Sequence, residues 1–77
     1  MLHLYLITTQ HAYYEEFDAF VVVCKDSAEA RTLAHSKSSS RQRRMRVFQE
    51  ARFSECIRIG SALEKASTGV VFPQGLS

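Results

Sequence analysis

Seventy-seven residues, 45% of them hydrophobic, bound the chain to one small domain, near the lower size limit for folding without staples. A core of that size leaves no room for a deep, enclosed substrate pocket, so the composition points away from an enzyme and towards a binding module. The net charge of +2 conceals a split: Lys37, Arg41, Arg43, Arg44 and Arg46 put five positive charges and no acid within ten residues, and the rest of the chain carries five bases against eight acids.

Leu2 to Thr9 alternates and predicts a first strand, with Leu2, Leu4 and Leu6 on one face and His3, Tyr5 and Ile7 on the other. Gln10 to Glu16 is a connection of a length that suits an antiparallel hairpin. Phe17 to Cys24 is rich in β-branched and aromatic residues and apolar on both sides, which predicts a central strand. Asp26 then stops the strand and caps a helix, its carboxylate accepting from the free N–H groups of the first turn. Glu29 is placed to reach back to the cap residue's own N–H. Ala28, Ala30, Leu33 and Ala34 give that helix, from about Ser27, a narrow apolar stripe. It ends between His35 and Lys37, where Ser36, Ser38, Ser39 and Ser40 dilute its propensity.

Arg41 to Arg52 reads two ways. Met45, Phe48 and Ala51 recur at helical spacing, which fits a second short helix; an extended, mobile basic loop is the competing reading, and the whole basic segment 37–52 shares this ambiguity. Phe53 to Ile59 returns to a strand pattern, with Ile57 and Ile59 on one face and Cys56 and Arg58 on the other, broken by Gly60 and Ser61. Ala62 to Thr68 is a linker or helical turn, and Gly69 opens a last short strand, Val70 to Phe72. Pro73 denies that strand a further backbone donor, so it belongs at an edge or at the strand's end, and the tail after Gln74 is expected to fray. The order β-β-α-(α)-β-β predicts an α+β fold over residues 1–77: a four-stranded antiparallel sheet with one or two helices packed on one face. If the other face holds Tyr5, Ile7, Phe20 and Val22, it is too apolar to stay wet, and a partner or a second copy of the chain has to cover it.

Cys24 and Cys56 lie in apolar, strand-like runs, where a reduced cysteine behaves as a small hydrophobe; two cysteines alone make neither a metal nor a disulfide signature. MLHLYLITT goes directly into the strand pattern without a basic leader, and no apolar run approaches the roughly 20 residues of a membrane helix. The expectation is a reduced, cytoplasmic protein with no membrane partner.

The arginine run carries the strongest chemical signal. Guanidinium groups bind phosphates bidentately, so Lys37, Arg41, Arg43, Arg44, Arg46 and Arg52 form a candidate surface for a partner or a nucleic acid; the alternative is a solvated basic face. Tyr13, Tyr14, Glu15, Glu16 and Asp18 form an acidic–aromatic set that suits a basic partner, tyrosine being a favoured interface anchor, or else a polar hairpin tip. Glu15 and Glu16 are adjacent and point apart on a strand, a poor acid/base pair. His3, His11 and His35 lack metal-ligand spacing, the serines lack a positioned base, and Gly60, Gly69 and Gly75 make no phosphate loop. The residues give no catalytic, cofactor or metal motif.

LHLYLITTQ, FDAFVVVCKDSAEAR and IRIGSALEKASTGVVFPQG resemble stretches of a group of small phage- and prophage-encoded proteins of undetermined function. The matching positions are Leu4, Tyr5, Leu6 and Ile7; Asp18, Ala19, Val21 and Val22; Ser27, Ala30 and Arg31; and Gly69 to Val71, covering about half of the chain. The departure is at Ser38–Arg52, where those proteins carry an acidic, Trp-bearing loop and this chain carries arginines. The element order is also similar to that of some type I anti-CRISPR proteins, non-enzymatic phage products that bind an RNA-guided surveillance complex and block its DNA path; no residue carries over from them. The resemblance implies a phage-encoded binding protein that inhibits a host ribonucleoprotein complex of the Cascade type. In that role Glu15, Glu16 and Asp18 mimic DNA phosphates, while the arginines contact RNA or an acidic subunit. The alternatives are a small nucleic-acid-binding protein acting through its arginines, and a homo-oligomeric accessory module such as a homodimer.

Overall fold

Alternation writes the first hairpin. In the computed structural model, which describes residues 2–61 and 69–75, His3–Thr9 (β1) and Phe17–Cys24 (β2) pair antiparallel. Ser54–Ser61 (β3) pairs antiparallel with the other side of β1, so β1 lies inside the sheet. Ser27–Lys37 (α1) and Ser40–Met45 (α2) fill the connection between β2 and β3. The result is a small α+β fold, an antiparallel sheet with two helices. The backbone of Gly69–Gly75 (β4) runs antiparallel beside the outer side of β2. The expected linker over 62–68 lies outside the described residues, as do the side chains of the last strand and the tail beyond it.

Register decides which face is covered. Tyr5 sits beside Val22 and Ile7 beside Phe20, and all four are buried together with Cys24, Ala30 and Ala34 of α1, and Val47 and Phe48. The Phe20 and Phe48 rings meet edge to face at 5.0 Å, and Phe17 tilts against Phe20 at 5.1 Å, favourable offsets for aromatic quadrupoles. The face carrying Tyr5, Ile7, Phe20 and Val22 is therefore the one its own helices cover. The other face carries Leu4 beside Val23 and Leu6 between Val21 and Ile57; Val23 is buried there, while Ile57 and Ile59 are 46% and 52% exposed.

Helix α1 starts where Asp26 accepts from the Glu29 N–H at 2.8 Å, as its sequence predicts. Glu29, however, reaches the Lys25 N–H and not that of Asp26. Only Ala30 and Ala34 of α1 are fully buried, and their small side chains let the helix lie close to the sheet. Arg31 fastens it further: its guanidinium donates to the Phe48 carbonyl at 3.2 Å and to the Ser54 hydroxyl and carbonyl at 2.8 and 3.2 Å.

The second short helix expected in 41–52 forms as α2, Ser40–Met45, and the segment is not an extended basic loop, but the helix is shorter than the apolar spacing suggested. Helix α2 stops at Arg46, whose backbone is left-handed at φ 57° and ψ 40°. That conformation costs a residue with a Cβ roughly 1–2 kcal/mol, and turns follow from Val47 to Phe53. The reversal sends the consecutive residues Val47 and Phe48 inward and leaves Met45 and Ala51 exposed, so the apparent helical stripe through 45, 48 and 51 does not exist. Strand β3 likewise runs through Gly60 to Ser61; the expected break is absorbed by a shift in register opposite Leu4 and Tyr5.

These placements separate two similar-looking substitutions. Phe48→Ala is expected to cost about 3–5 kcal/mol, the range for emptying a packed aromatic site, whereas Met45→Ala, losing an exposed side chain and its Sδ contact with Arg41, stays well below that range. Urea titration followed by circular dichroism reads both; equal losses would restore the helical-stripe reading.

Candidate functional site

Between β1 and β2 the chain makes a loop closed by a Glu16 N–H donated to the Tyr13 carbonyl at 3.0 Å, and α2 and its cap add further contacts to it. The carboxylate of Glu16 turns inward and is nearly buried. Its Oε1 accepts from the Tyr13 N–H at 2.8 Å and from Arg41 Nη2 at 2.6 Å, while Oε2 accepts from the Ser39 hydroxyl at 2.6 Å and from Arg41 Nε at 3.1 Å. This is a two-pronged, charge-assisted contact. The Arg41 hydrogen bonds, with those from Ser39 and the Tyr13 backbone, outweigh burial and hold the Glu16 carboxyl down at about 2. Arg41 is pushed above its ordinary value by the same partner.

Beside this pair Gln42 is fully buried and donates to the Phe17 carbonyl at 2.6 Å, with a longer contact to His11. Its own carbonyl oxygen accepts from the Ser39 N–H while the Ser39 hydroxyl accepts from the Gln42 N–H, a reciprocal cap. Arg41 also donates to the His11 carbonyl and to Met45 Sδ, and lies 3.9 Å over the Tyr13 ring. Three residues of the hairpin loop, Phe17 at the start of β2, and four residues of α2 and its cap are thus linked into one end of the molecule.

The acidic and basic sets anticipated as separate surfaces therefore meet. Glu16 and Arg41 neutralise each other; Asp18 is half-buried on β2, with Oδ1 shielded and unpaired among the described residues. Tyr13 and Tyr14 are 68% and 76% exposed, and Glu15, exposed, turns the loop with φ 67°. Arg43 folds back to donate to the Ser38 carbonyl, its side exposed, while Arg44, Arg46 and Lys37 stand in solvent. Arg44 follows Arg41 by three residues and shares its side of α2. Arg52 lies apart, 4.7 Å over the Phe53 ring and 3.7 Å from Glu50.

Near Arg52 an open groove of about 460 Å³ runs between Thr8–His11 and Ala51–Glu55. The His11 ring stands edge-on to Phe53 at 5.0 Å, and the Thr9 hydroxyl fixes the two walls by donating to the Phe53 carbonyl and accepting from the His11 N–H. Reading the sequence missed Arg31, Ser39 and Gln42. The Ser39-x-x-Gln42 spacing was the available signal for the last two, being a capping box.

Burial pushes the Cys24 and Cys56 thiols up, so neither is an activated nucleophile. Among the described residues no three His, Cys, Asp or Glu side chains gather as a metal set, and no helix is long and apolar enough to cross a membrane. No family model, curated protein or solved structure matches the chain.

The ion pair gives a signed pH dependence. The carboxyl of Glu16 binds its proton less readily folded than unfolded, so its stabilisation is complete above the ordinary value of 4.5 and fades as pH falls towards about 2. Thermal melts across that window are expected to lose midpoint temperature for the wild type and to flatten for Glu16→Gln. Arg41→Ala is expected to destabilise at neutral pH by less than the roughly 3–5 kcal/mol of a fully buried broken pair, because a rim of the carboxylate still meets water.

Proposed function

We propose that this chain is a non-enzymatic binding protein whose contact surface is the end bearing Tyr13, Tyr14 and the α2 arginines, and whose ligand is phosphate-bearing nucleic acid. The observation that carries this reading is a charge imbalance within one rigid unit. Glu16 neutralises Arg41 alone, and Arg43, Arg44 and Arg46 remain exposed with no acidic partner among the described residues. Tyr13, exposed, packs under Arg41 of the same helix, and exposed Tyr14 follows it in the loop; tyrosine is a residue type that anchors interfaces and stacks on bases.

The reading takes the sheet as four-stranded, in the order β3-β1-β2-β4, and the protein as cytoplasmic. Resemblance to phage-encoded proteins favours a host ribonucleoprotein, an RNA-guided complex of the Cascade type, as the place where that nucleic acid is met; docking there blocks the complex. Phosphate mimicry by the acidic loop drops out of the reading, because offering Glu16 to a partner would first break its contact with Arg41. A homo-oligomeric module remains the second reading, favoured by the exposure of Ile57 and Ile59 on β3.

Fluorescence anisotropy with a labelled RNA oligonucleotide tests the first reading. Affinity is expected to fall steeply with salt, with a logarithmic slope of about −0.7 per phosphate contacted. Arg43→Glu/Arg44→Glu is expected to lower it at least about tenfold by removing such contacts. Unchanged affinity in that variant, or no binding by the wild type at low salt, overturns the reading.

A further inference from the structure

The groove beside β1 adds a second contact to this surface. Residue 11 stands between the two: its carbonyl is tied to Arg41 and Gln42, and its ring lines the groove against Phe53. The groove is open, polar along most of its wall, and of a size to admit one nucleobase. It holds an aromatic pair, His11 and Phe53, with the Arg52 guanidinium over the Phe53 ring. Glu55 and Gln10 on its rim supply an acceptor and an amide for a base edge. Thr9 bridges the two walls, so the site is formed before any ligand arrives.

We infer that this groove takes one unstacked base of a single-stranded nucleic acid, with Arg52 meeting the adjoining phosphate. The inference rests on the proposed function and narrows its ligand class. A duplex presents its phosphates to the α2 arginines equally well but keeps its bases stacked inside, so only a single strand can use both contacts. The mixed charge of the groove, Arg52 with Glu55, suits a base and its phosphate better than a bare phosphate anion.

The experiment compares a fluorescein-labelled single-stranded oligonucleotide with a duplex of equal length, and adds a 2-aminopurine-labelled single strand to report base stacking. The wild type is expected to prefer the single strand by at least about fivefold, within the range one base–aromatic stack supplies, and to change the 2-aminopurine emission. His11→Ala, an exposed side chain whose backbone carbonyl is retained, is expected to erase the preference and the emission change; Arg52→Gln is expected to weaken single-strand binding without affecting the duplex. Equal affinity for the two probes, or a preference that survives His11→Ala, overturns the groove while leaving the arginine surface intact. Absence of binding to either probe removes the underlying function and this site with it.

Discussion

The contact between Glu16 and Arg41 is the constraint on which the rest depends. A hairpin connection between two apolar strands has no core of its own, and a six-residue helix is too short to be stable alone. Each is fixed by the other through one carboxylate that gathers donors from Tyr13, Ser39 and Arg41, and one amide, Gln42, that takes backbone carbonyls the loop cannot satisfy internally. Because the donors come from separate stretches, the pair also fixes the positions of Tyr13 and Arg44 relative to one another. The surface proposed to bind is thereby preorganised, which lowers the ordering cost of association.

Helix α1 is held by the same means through a different residue. Arg31 links the helix to the turn that follows α2 and to the first residue of β3. Two arginines are therefore structural, and a count of positive charge overstates what is available to a ligand. Of the basic run, the part that faces solvent is Lys37, Arg43, Arg44 and Arg46, with Arg52 on a separate wall. An electrostatic footprint read from composition alone would have included Arg41 as an equal member.

Local chemistry made the strands and α1 legible. Alternation in Leu2–Thr9, the β-branched run before Cys24 and the Asp26 cap each depend on residues within a few positions of one another. What was not legible depended on distance along the chain. Whether Tyr5 and Ile7 or Leu4 and Leu6 face the helices is settled by where α1 crosses the sheet, and both faces are apolar in the sequence. The spacing of Met45, Phe48 and Ala51 suggested a helix because period alone cannot detect a left-handed residue at Arg46. At the candidate site, Tyr13, Tyr14 and the arginines were visible as types, but the pairing of Glu16 with Arg41 spans 25 positions and left no local trace. The groove depends on two segments more than 40 residues apart, joined by Thr9 and Phe53, and was invisible for the same reason.

Arg46 occupies a position with two competing requirements. Its left-handed backbone favours glycine or asparagine, while its exposed guanidinium belongs to the cationic rim. Relaxing the turn would remove a charge, and any β-branched replacement would oppose the reversal that carries Val47 and Phe48 inwards. A substitution at this one site therefore changes both the charge of the outside and the turn that sets the geometry of the core.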